Sequence, residues 1–233
     1  MVLPMVDIHS HILPGVDDGS RNVQESLQLL KMLADQGVSR VAATPHFSAD
    51  RESVEDFIKR RQFSYESLMQ EMPQGMPRIA LGAEVKYYQG ISRMDDLKRL
   101  CIEGSSLLLL EMPMARWTEY IIKELLELSC SRGVTLVLAH IERYLSLQSP
   151  DVWDRLLESG VLMQVNATFF TEWRTRRRAV SMLKNSAIHF LGSDCHRAVE
   201  RPPYIKAAAE IIEKKMGSRF LALMTEYANS MFV

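Results

Sequence analysis

An α/β barrel of parallel strands is the fold class that this sequence predicts, and the order of its apolar segments is the evidence. Short apolar runs alternate with longer amphipathic stretches, and no repeat, linker or low-complexity tract divides the 233 residues. Strict alternation of strands and helices is typical of a parallel sheet. Seven or eight such units favour a closed or nearly closed barrel, with an open doubly wound sheet as the alternative. We expect one domain over residues 1–233, since barrels of this size are common.

Seven short apolar segments predict the strands of this barrel. They are residues 6–9, 38–44, 78–85, 106–111, 134–140, 161–167 and 187–193. Segments that are mostly amphipathic predict the helices at residues 22–36, 52–71, 95–101, 117–132, 151–159, 171–184, 204–215 and 218–229. Gly37 and Gly133 end two of these helices. The four leucines at 107–110 suit a parallel strand that is buried on both faces.

Composition excludes several classes of protein. Lys and Arg number 28 against 29 Asp and Glu, a net charge of −1, whereas a dedicated nucleic-acid binder is usually basic. Three cysteines without a CxxC pair indicate neither a disulfide framework nor a zinc ribbon. The first residues show no signal peptide, and the longest apolar run is far too short to span a bilayer. We therefore expect a cytoplasmic protein without nucleic-acid binding or membrane insertion.

Histidines and carboxylates follow the predicted strands at the points where these strands end. In an α/β barrel these exits meet at one mouth, where the active site lies. Five of the six histidines occupy exits: His9, His11, His46, His140 and His196. Carboxylates occupy the same or intervening exits: Asp17, Asp18, Glu84, Glu111 and Asp194. Because imidazoles and carboxylates that converge on one point are metal ligands, this pattern predicts a metal centre.

The ligands are too numerous for one ion, so the residues predict two or three. Nitrogen and oxygen ligands without thiolate fit Mn, Fe or Zn better than Mg or Ca. Multimetal centres of this kind typically hydrolyse phosphate esters. Arg143 and Arg201 follow two of the histidines, and arginine holds phosphate oxygens bidentately. The alternative for each arginine is an ordinary surface ion pair.

Six segments carry these residues in a fixed order: DIHSHILPGVDDGS, ATPHFS, GAEV, LLLLEMP, LAHIERY and GSDCHRAVERPP, which together run from residue 7 to 203. In this order they resemble the polymerase-and-histidinol-phosphatase (PHP) superfamily. More narrowly, they look like the bacterial tyrosine phosphatases encoded with capsule and exopolysaccharide systems. The HxH pair alone is also found in amidohydrolases. That group typically uses a lysine on strand four, where this chain has Glu111.

The resemblance implies a distorted (β/α)7 barrel with three divalent metal ions, for which manganese is expected and iron or zinc are alternatives. One ion would be bound by His9, His11, Glu84 and Asp194. A second would share Glu84 and add Glu111 and His140. The third would be bound by Asp18, His46 and His196. Asp17 would be a turn residue, and Arg143 and Arg201 would bind the phosphate.

The same resemblance implies a protein-tyrosine phosphatase that hydrolyses phosphotyrosine by attack of a metal-activated hydroxide. Its expected substrate is a tyrosine-phosphorylated protein, in particular a bacterial tyrosine kinase of polysaccharide synthesis or export. The alternative is a PHP-type small-molecule phosphatase such as histidinol-phosphate phosphatase.

Two further patterns have a structural and a functional interpretation. Cys195 and Arg201 match the Cys-x5-Arg spacing of thiol-based tyrosine phosphatases. We interpret this match as accidental, because side chains alternate along an extended backbone and Cys195 should face away from the ligands on either side of it. The arginines at 174 and 176–178 favour a solvated helix face, with steering of an acidic, phosphorylated tail as the alternative.

Overall fold

The computed structural model of this chain describes residues 5–131 and 133–231. Parallel strands occupy seven positions around a barrel, and two positions hold a pair of short strands. Within the described ranges the strands are β1 Met5–Ser10, β2 Val38–Ala43, β3 His46–Phe47, β4 Arg78–Leu81, β5 Glu84–Lys86, β6 Leu107–Glu111, β7 Thr135–Leu138, β8 Leu162–Asn166 and β9 Phe190–Gly192.

Helices connect the strands and surround them. They are α1 Val23–Asp35, α2 Val54–Gln70, α3 Glu119–Ser129, α4 Pro150–Glu158, α5 Thr168–Thr171, α6 Arg176–Lys184, α7 Ile205–Met216 and α8 Ser218–Ser230. Short 3-10 turns occupy Ile91–Arg93, Asp95–Leu100 and Ile141–Arg143. The side chains of Asn22, Ser53 and Thr118 accept backbone hydrogen bonds at the starts of α1, α2 and α3, which satisfies amides that have no partner within the helix. No described helix is long and apolar enough to cross a membrane.

Hydrogen bonds between the first and last strand positions close the barrel. The sheet order is β1-β2-β4 in one ladder and β3-β5-β6-β7-β8-β9 in the other, and every pairing is parallel. The Asp194 amide donates to the His9 carbonyl at 2.8 Å, and the His11 amide donates to the Cys195 carbonyl at 2.9 Å. The predicted distorted (β/α)7 barrel is therefore confirmed, and the open doubly wound alternative is wrong.

Two predicted strands are interrupted where the sequence indicated continuous ones. The segment 38–44 ends at Ala43, and Pro45, which has no amide hydrogen to donate, separates it from β3. The segment 78–85 breaks at Gly82, where an added Cβ would lie 2.9 Å from the Ile102 side chain. The ladder still continues across both breaks, because the Gly82 amide donates to the Ala43 carbonyl at 2.8 Å. Glu84 consequently begins a short strand rather than lying near the end of a long one.

The predicted helix 171–184 is also divided. The short helix α5 ends at Thr171, residues 172–175 form a turn, and α6 begins at Arg176. The Arg176 guanidinium donates to the carbonyls of Phe170 at 2.9 Å and Thr171 at 2.7 Å, so it satisfies carbonyls that the end of α5 leaves without partners. Two other predictions differ in detail. The helix at 95–101 is a 3-10 turn, and residue 132, the predicted end of another helix, lies outside the described residues.

Candidate metal centre

The nine predicted ligands meet at the barrel mouth, and their donor atoms form three neighbouring groups. In the first group, the Nε2 atoms of His9 and His11 lie 3.2 Å apart. Glu84 Oε2 lies 3.3 Å from each of these nitrogens. Asp194 Oδ1 lies 3.6 Å from His9 Nε2 and 3.5 Å from His11 Nε2. Two carboxylate oxygens thus lie within 3.6 Å of both nitrogens, a donor set that could hold one metal ion.

The second group shares Glu84 with the first. Its other oxygen, Oε1, lies 2.8 Å from His140 Nε2, and Glu111 Oε1 lies 3.6 Å from the same nitrogen. Glu84 is 1% exposed, so both of its oxygens are directed at the cluster rather than at solvent. One carboxylate with an oxygen in each of two ligand groups has the geometry of a bridging ligand.

The third group lies nearest the solvent. Asp18 Oδ1 is 3.4 Å from His46 Nε2 and 3.6 Å from His196 Nε2, and the Asp18 side chain is 67% exposed. His46 also faces the inner groups, because its Nδ1 lies 3.0 Å from Glu84 Oε2. This carboxylate oxygen is close but not aligned for a hydrogen bond, so the buried Nδ1 forms none with the described residues. A buried nitrogen without a partner costs free energy, and a metal ion would supply the missing contact.

Hydrogen bonds behind the histidines determine which ring nitrogen faces the cluster. His9 Nδ1 lies 3.1 Å from Gln164 Oε1, and His11 Nδ1 lies 2.7 Å from Asp17 Oδ2. His196 Nδ1 lies 2.9 Å from the Asp194 carbonyl. Because each of these three partners accepts and does not donate, the Nδ1 atoms carry the hydrogens and the Nε2 lone pairs face inward. Carboxylate or carbonyl partners behind the imidazoles are typical of metal-binding histidines.

Gln164 and Asp17 are the functional residues that the sequence reasoning missed. The His140 amide donates to Gln164 Oε1 at 2.7 Å and thereby sets the orientation of that side-chain amide. Asp17 also accepts from the amides of His46 at 2.9 Å and Gly19 at 2.9 Å, so it is a turn residue that additionally orients His11. The sequence did contain a signal for Gln164. It lies two residues before Asn166, so both polar side chains are on the same face of β8.

Charges within the cluster shift the pKa values of its members. Burial alone would raise the pKa of the Asp194 carboxyl, but His9 and His11 lower it below its usual range. Burial would lower the pKa of His11, but Asp17 and Glu84 raise it to about 10. A divalent cation at the inward nitrogens would replace the proton of such an imidazolium while keeping positive charge beside the carboxylates. The donor set therefore fits metal ions chemically as well as geometrically.

Two candidate ligands occupy strained backbone positions. His140 has φ 32° and Asp194 has φ 50°, and the only other described non-glycine residue with positive φ is Ser186. The left-handed region is unfavourable for residues with a Cβ, and such residues persist where the surrounding structure holds them. Each lies two residues after the end of a strand, where the unusual φ turns its side chain into the mouth.

Arg143 and Arg201 lie beside the cluster as predicted, and both donate to one carboxylate oxygen. Arg143 Nη2 is 2.6 Å and Arg201 Nη2 is 2.7 Å from Asp194 Oδ2. Asn166 Nδ2 donates to the same atom at 2.8 Å. These arginines are thus not simple surface ion pairs, because their shared partner is buried. Next to them lies a cavity of about 310 Å³ whose wall includes Phe169.

Cys195 faces away from the mouth, as predicted, although the backbone at Asp194 is left-handed rather than extended. It is fully buried and belongs to the main apolar core. Burial raises the pKa of its thiol well above the usual range, and the nearby Asp7 carboxylate adds to this rise. A thiol in this environment remains protonated and has no access to substrate, so it lacks the reactivity of a catalytic thiolate.

Comparison with known proteins places the chain in a family. The sequence model of the family described as "Capsular polysaccharide synthesis, CpsB/CapC" matches residues 5–232. The chain belongs to this family. A relative from Streptococcus pneumoniae, named tyrosine-protein phosphatase CpsB, is 32% identical and covers 92% of each chain. Tyrosine-protein phosphatase YwqE from Bacillus subtilis is 27% identical over 96% of this chain and 90% of its own.

Solved structures with a similar fold support the barrel of this chain. One of them matches with a TM-score of 0.80 and 24% identity. It comes from work on YwqE of Bacillus subtilis and CpsB of Streptococcus pneumoniae, which are described there as metal-dependent tyrosine phosphatases. It covers 98% of this chain and 94% of that one. A histidinol phosphate phosphatase from Lactococcus lactis, complexed with zinc, L-histidinol and phosphate, matches with a TM-score of 0.56 and 11% identity, and covers 91% and 94%. At these identities the matches establish the barrel alone.

We predict that Asp17→Ala weakens metal binding. Removing the acceptor behind His11 frees the ring to rotate and to change tautomer, and loss of such a partner typically lowers metal affinity about 10–100-fold. The measurement is a calorimetric titration of the metal-free protein with Mn²⁺. Asp35→Ala is the matched control, since the Asp35 side chain is 63% exposed and forms an ion pair with Lys31 on the surface of α1. Equal affinities for the Asp17 and Asp35 variants would remove Asp17 from the centre.

Proposed function

We propose that this chain is a metal-dependent protein-tyrosine phosphatase. The observation that carries the proposal is the sharing of Glu84 between two ligand groups, with Arg143 and Arg201 on one side of the cluster. Multimetal centres with adjacent arginines suit the hydrolysis of phosphate monoesters. The names of the CpsB and YwqE relatives support phosphotyrosine as the ester.

The proposed centre binds three divalent ions, with manganese first and iron or zinc as alternatives. His9, His11 and Asp194 would bind one ion, Glu111 and His140 a second, and Glu84 both of them. The third ion would be bound by Asp18, His46 and His196. Bound ions would polarise the phosphoryl group and supply hydroxide at neutral pH. The absence of thiolate from the ligand set favours this group of metals.

The chain's own residues would position the phosphoryl group. Each arginine uses Nη2 for Asp194 Oδ2, and Nη1 of Arg143 also lies 3.3 Å from His140 Nε2. The N–H groups that these contacts leave would donate to phosphate oxygens. A guanidinium already aimed by a buried carboxylate loses little conformational entropy when the phosphate arrives. Asn166 and Gln164 stay behind the reacting atoms, where they hold Asp194 and His9 in place.

We further propose the substrate and the setting of the reaction. The substrate is a tyrosine-phosphorylated protein, specifically a bacterial tyrosine kinase of polysaccharide synthesis or export, and the family description of capsule synthesis supports this. The reaction takes place in the cytoplasm, where such a kinase would present its phosphorylated residues. Residues 1–233 act as one phosphatase domain, consistent with a family match that extends from residue 5 to 232.

We predict that a strong chelator abolishes hydrolysis of a phosphotyrosine peptide and that Mn²⁺ restores it better than Mg²⁺. The reason is that imidazole-rich sites bind Mn²⁺ more readily than Mg²⁺. The measurement is phosphate release by chelated and reloaded protein, with histidinol phosphate as the competing substrate. Cys195→Ser is the control variant and should keep most of its activity, because the thiol is buried away from the mouth.

A different pattern would contradict this function. Full activity in metal-free protein together with an inactive Cys195→Ser variant would indicate thiol chemistry. Faster turnover of histidinol phosphate than of the peptide would instead indicate a small-molecule phosphatase.

Arg143→Ala and Arg201→Ala should each lower kcat about 10²–10³-fold, as removal of a donor to a developing oxyanion does in comparable enzymes. Metal content should be kept, because neither arginine belongs to the proposed ligands. Steady-state kinetics and metal analysis of the same samples provide the measurement. Arg155→Ala is the control, since Arg155 pairs with Glu119 on the surface. Rates within about threefold of the parent for both mouth variants would exclude the arginines from phosphate binding.

A further inference from the structure

An open groove of about 460 Å³ lies on the outer surface of the barrel, between α6 and the end of α7. Its cationic lining consists of Arg176, Arg177, Lys184 and Lys215, and Trp173 forms one end. No carboxylate contributes to the described lining. The groove is separate from the metal centre and from the cavity beside Arg143.

The positive charge of this groove is not neutralised by the protein. None of its four cations lies within ion-pair distance of a carboxylate in the described part of the chain. On other helices, in contrast, Lys59 pairs with Glu55 and Arg155 pairs with Glu119. The chain as a whole carries a net charge of −1, so a concentrated positive groove is a local feature. An anionic segment would complement it.

Trp173 gives the groove a second means of binding a peptide. Its side chain is 78% exposed, and the Arg174 guanidinium lies 5.2 Å from its ring centroid. Exposed tryptophan and arginine are the residues most enriched in the energetically important parts of interfaces. An exposed indole offers a flat face to a peptide backbone or an aromatic side chain.

One chain segment joins the groove to the catalytic mouth. Phe169, Glu172 and Thr175 line the cavity beside Arg143 and Arg201. Trp173, from the same turn, and Arg176, at the start of α6, line the groove. A substrate chain with its phosphotyrosine at the arginines would therefore cross this turn and reach the groove directly.

The length of the groove sets the size of its occupant. From Arg176 to Lys184, α6 makes eight steps of about 1.5 Å, or about 12 Å. An extended peptide covers this distance with about four residues. The occupant is therefore short.

We propose that this basic groove binds an acidic segment of about four residues that flanks the phosphotyrosine of the protein substrate. The inference rests on the proposed phosphatase activity and adds to it a determinant of substrate choice. The groove would act through substrate binding and would leave the chemical step unchanged.

The test compares phosphotyrosine peptides of equal length, with four glutamates before the phosphotyrosine, four after it, or serines throughout. We expect one acidic peptide to have a KM about tenfold below that of the neutral peptide, a size consistent with several modest exposed ion pairs. Arg177→Glu with Lys184→Glu should remove this difference. The same variant should hydrolyse free phosphotyrosine at the parental rate, which also shows that it is folded. Lys31→Glu with Lys59→Glu, on α1 and α2, is the charge-matched control and should keep the preference.

Binding without catalysis separates this inference from the proposed function. Unphosphorylated acidic peptide should change the fluorescence of the parent protein and leave that of Trp173→Ala unchanged, whether or not metal is bound. Loss of phosphotyrosine hydrolysis with this binding intact would overturn the function alone. Equal KM values for acidic and neutral peptides, or an equal loss of the acidic preference in Lys31→Glu with Lys59→Glu, would overturn the role of the groove. Groove-dependent binding of anionic lipid vesicles without peptide binding would overturn it as well.

Discussion

The buried carboxylate of Glu84 is the interaction on which the rest of this site depends. One oxygen lies beside His140, and the other lies within 3.3 Å of nitrogens of His9, His11 and His46. A carboxylate taken out of water costs several kcal/mol unless positive partners surround it. Four histidines from three other strand positions therefore converge on Glu84. Its place at the start of β5, just after the break at Gly82, directs the side chain into the mouth.

Asp194 connects this centre to the closure of the barrel. Its amide bonds to the His9 carbonyl and joins the last strand position to the first. One carboxylate oxygen faces His9 and His11, while the other accepts from Arg143, Arg201 and Asn166. The strain of its positive φ is thus compensated by contacts on every side. Ligand geometry and arginine position consequently depend on the same residue, so a shift of the last strand would disturb both.

The sequence predicted the barrel and the convergence of the candidate ligands for one physical reason. Parallel strands bring their exits together, so a histidine or carboxylate at each exit has to meet the others. The predictions failed where contacts between distant segments decide the outcome. The break at Gly82 depends on Ile102, and the division of the helix at 171–184 depends on bonds from Arg176. Gln164 was missed because its role depends on the His140 amide, a partner 24 residues away.

The proposed centre would bind three metal ions at the groups defined by the donor atoms. The most direct measurement is anomalous X-ray scattering from crystals of the manganese-loaded protein. We expect three peaks: one between His9, His11 and Asp194, one beside Glu111 and His140, and one beside Asp18 and His46. Glu84 should lie between the first two. A single peak, or peaks away from these groups in protein that hydrolyses phosphotyrosine, would contradict the proposed three-metal centre.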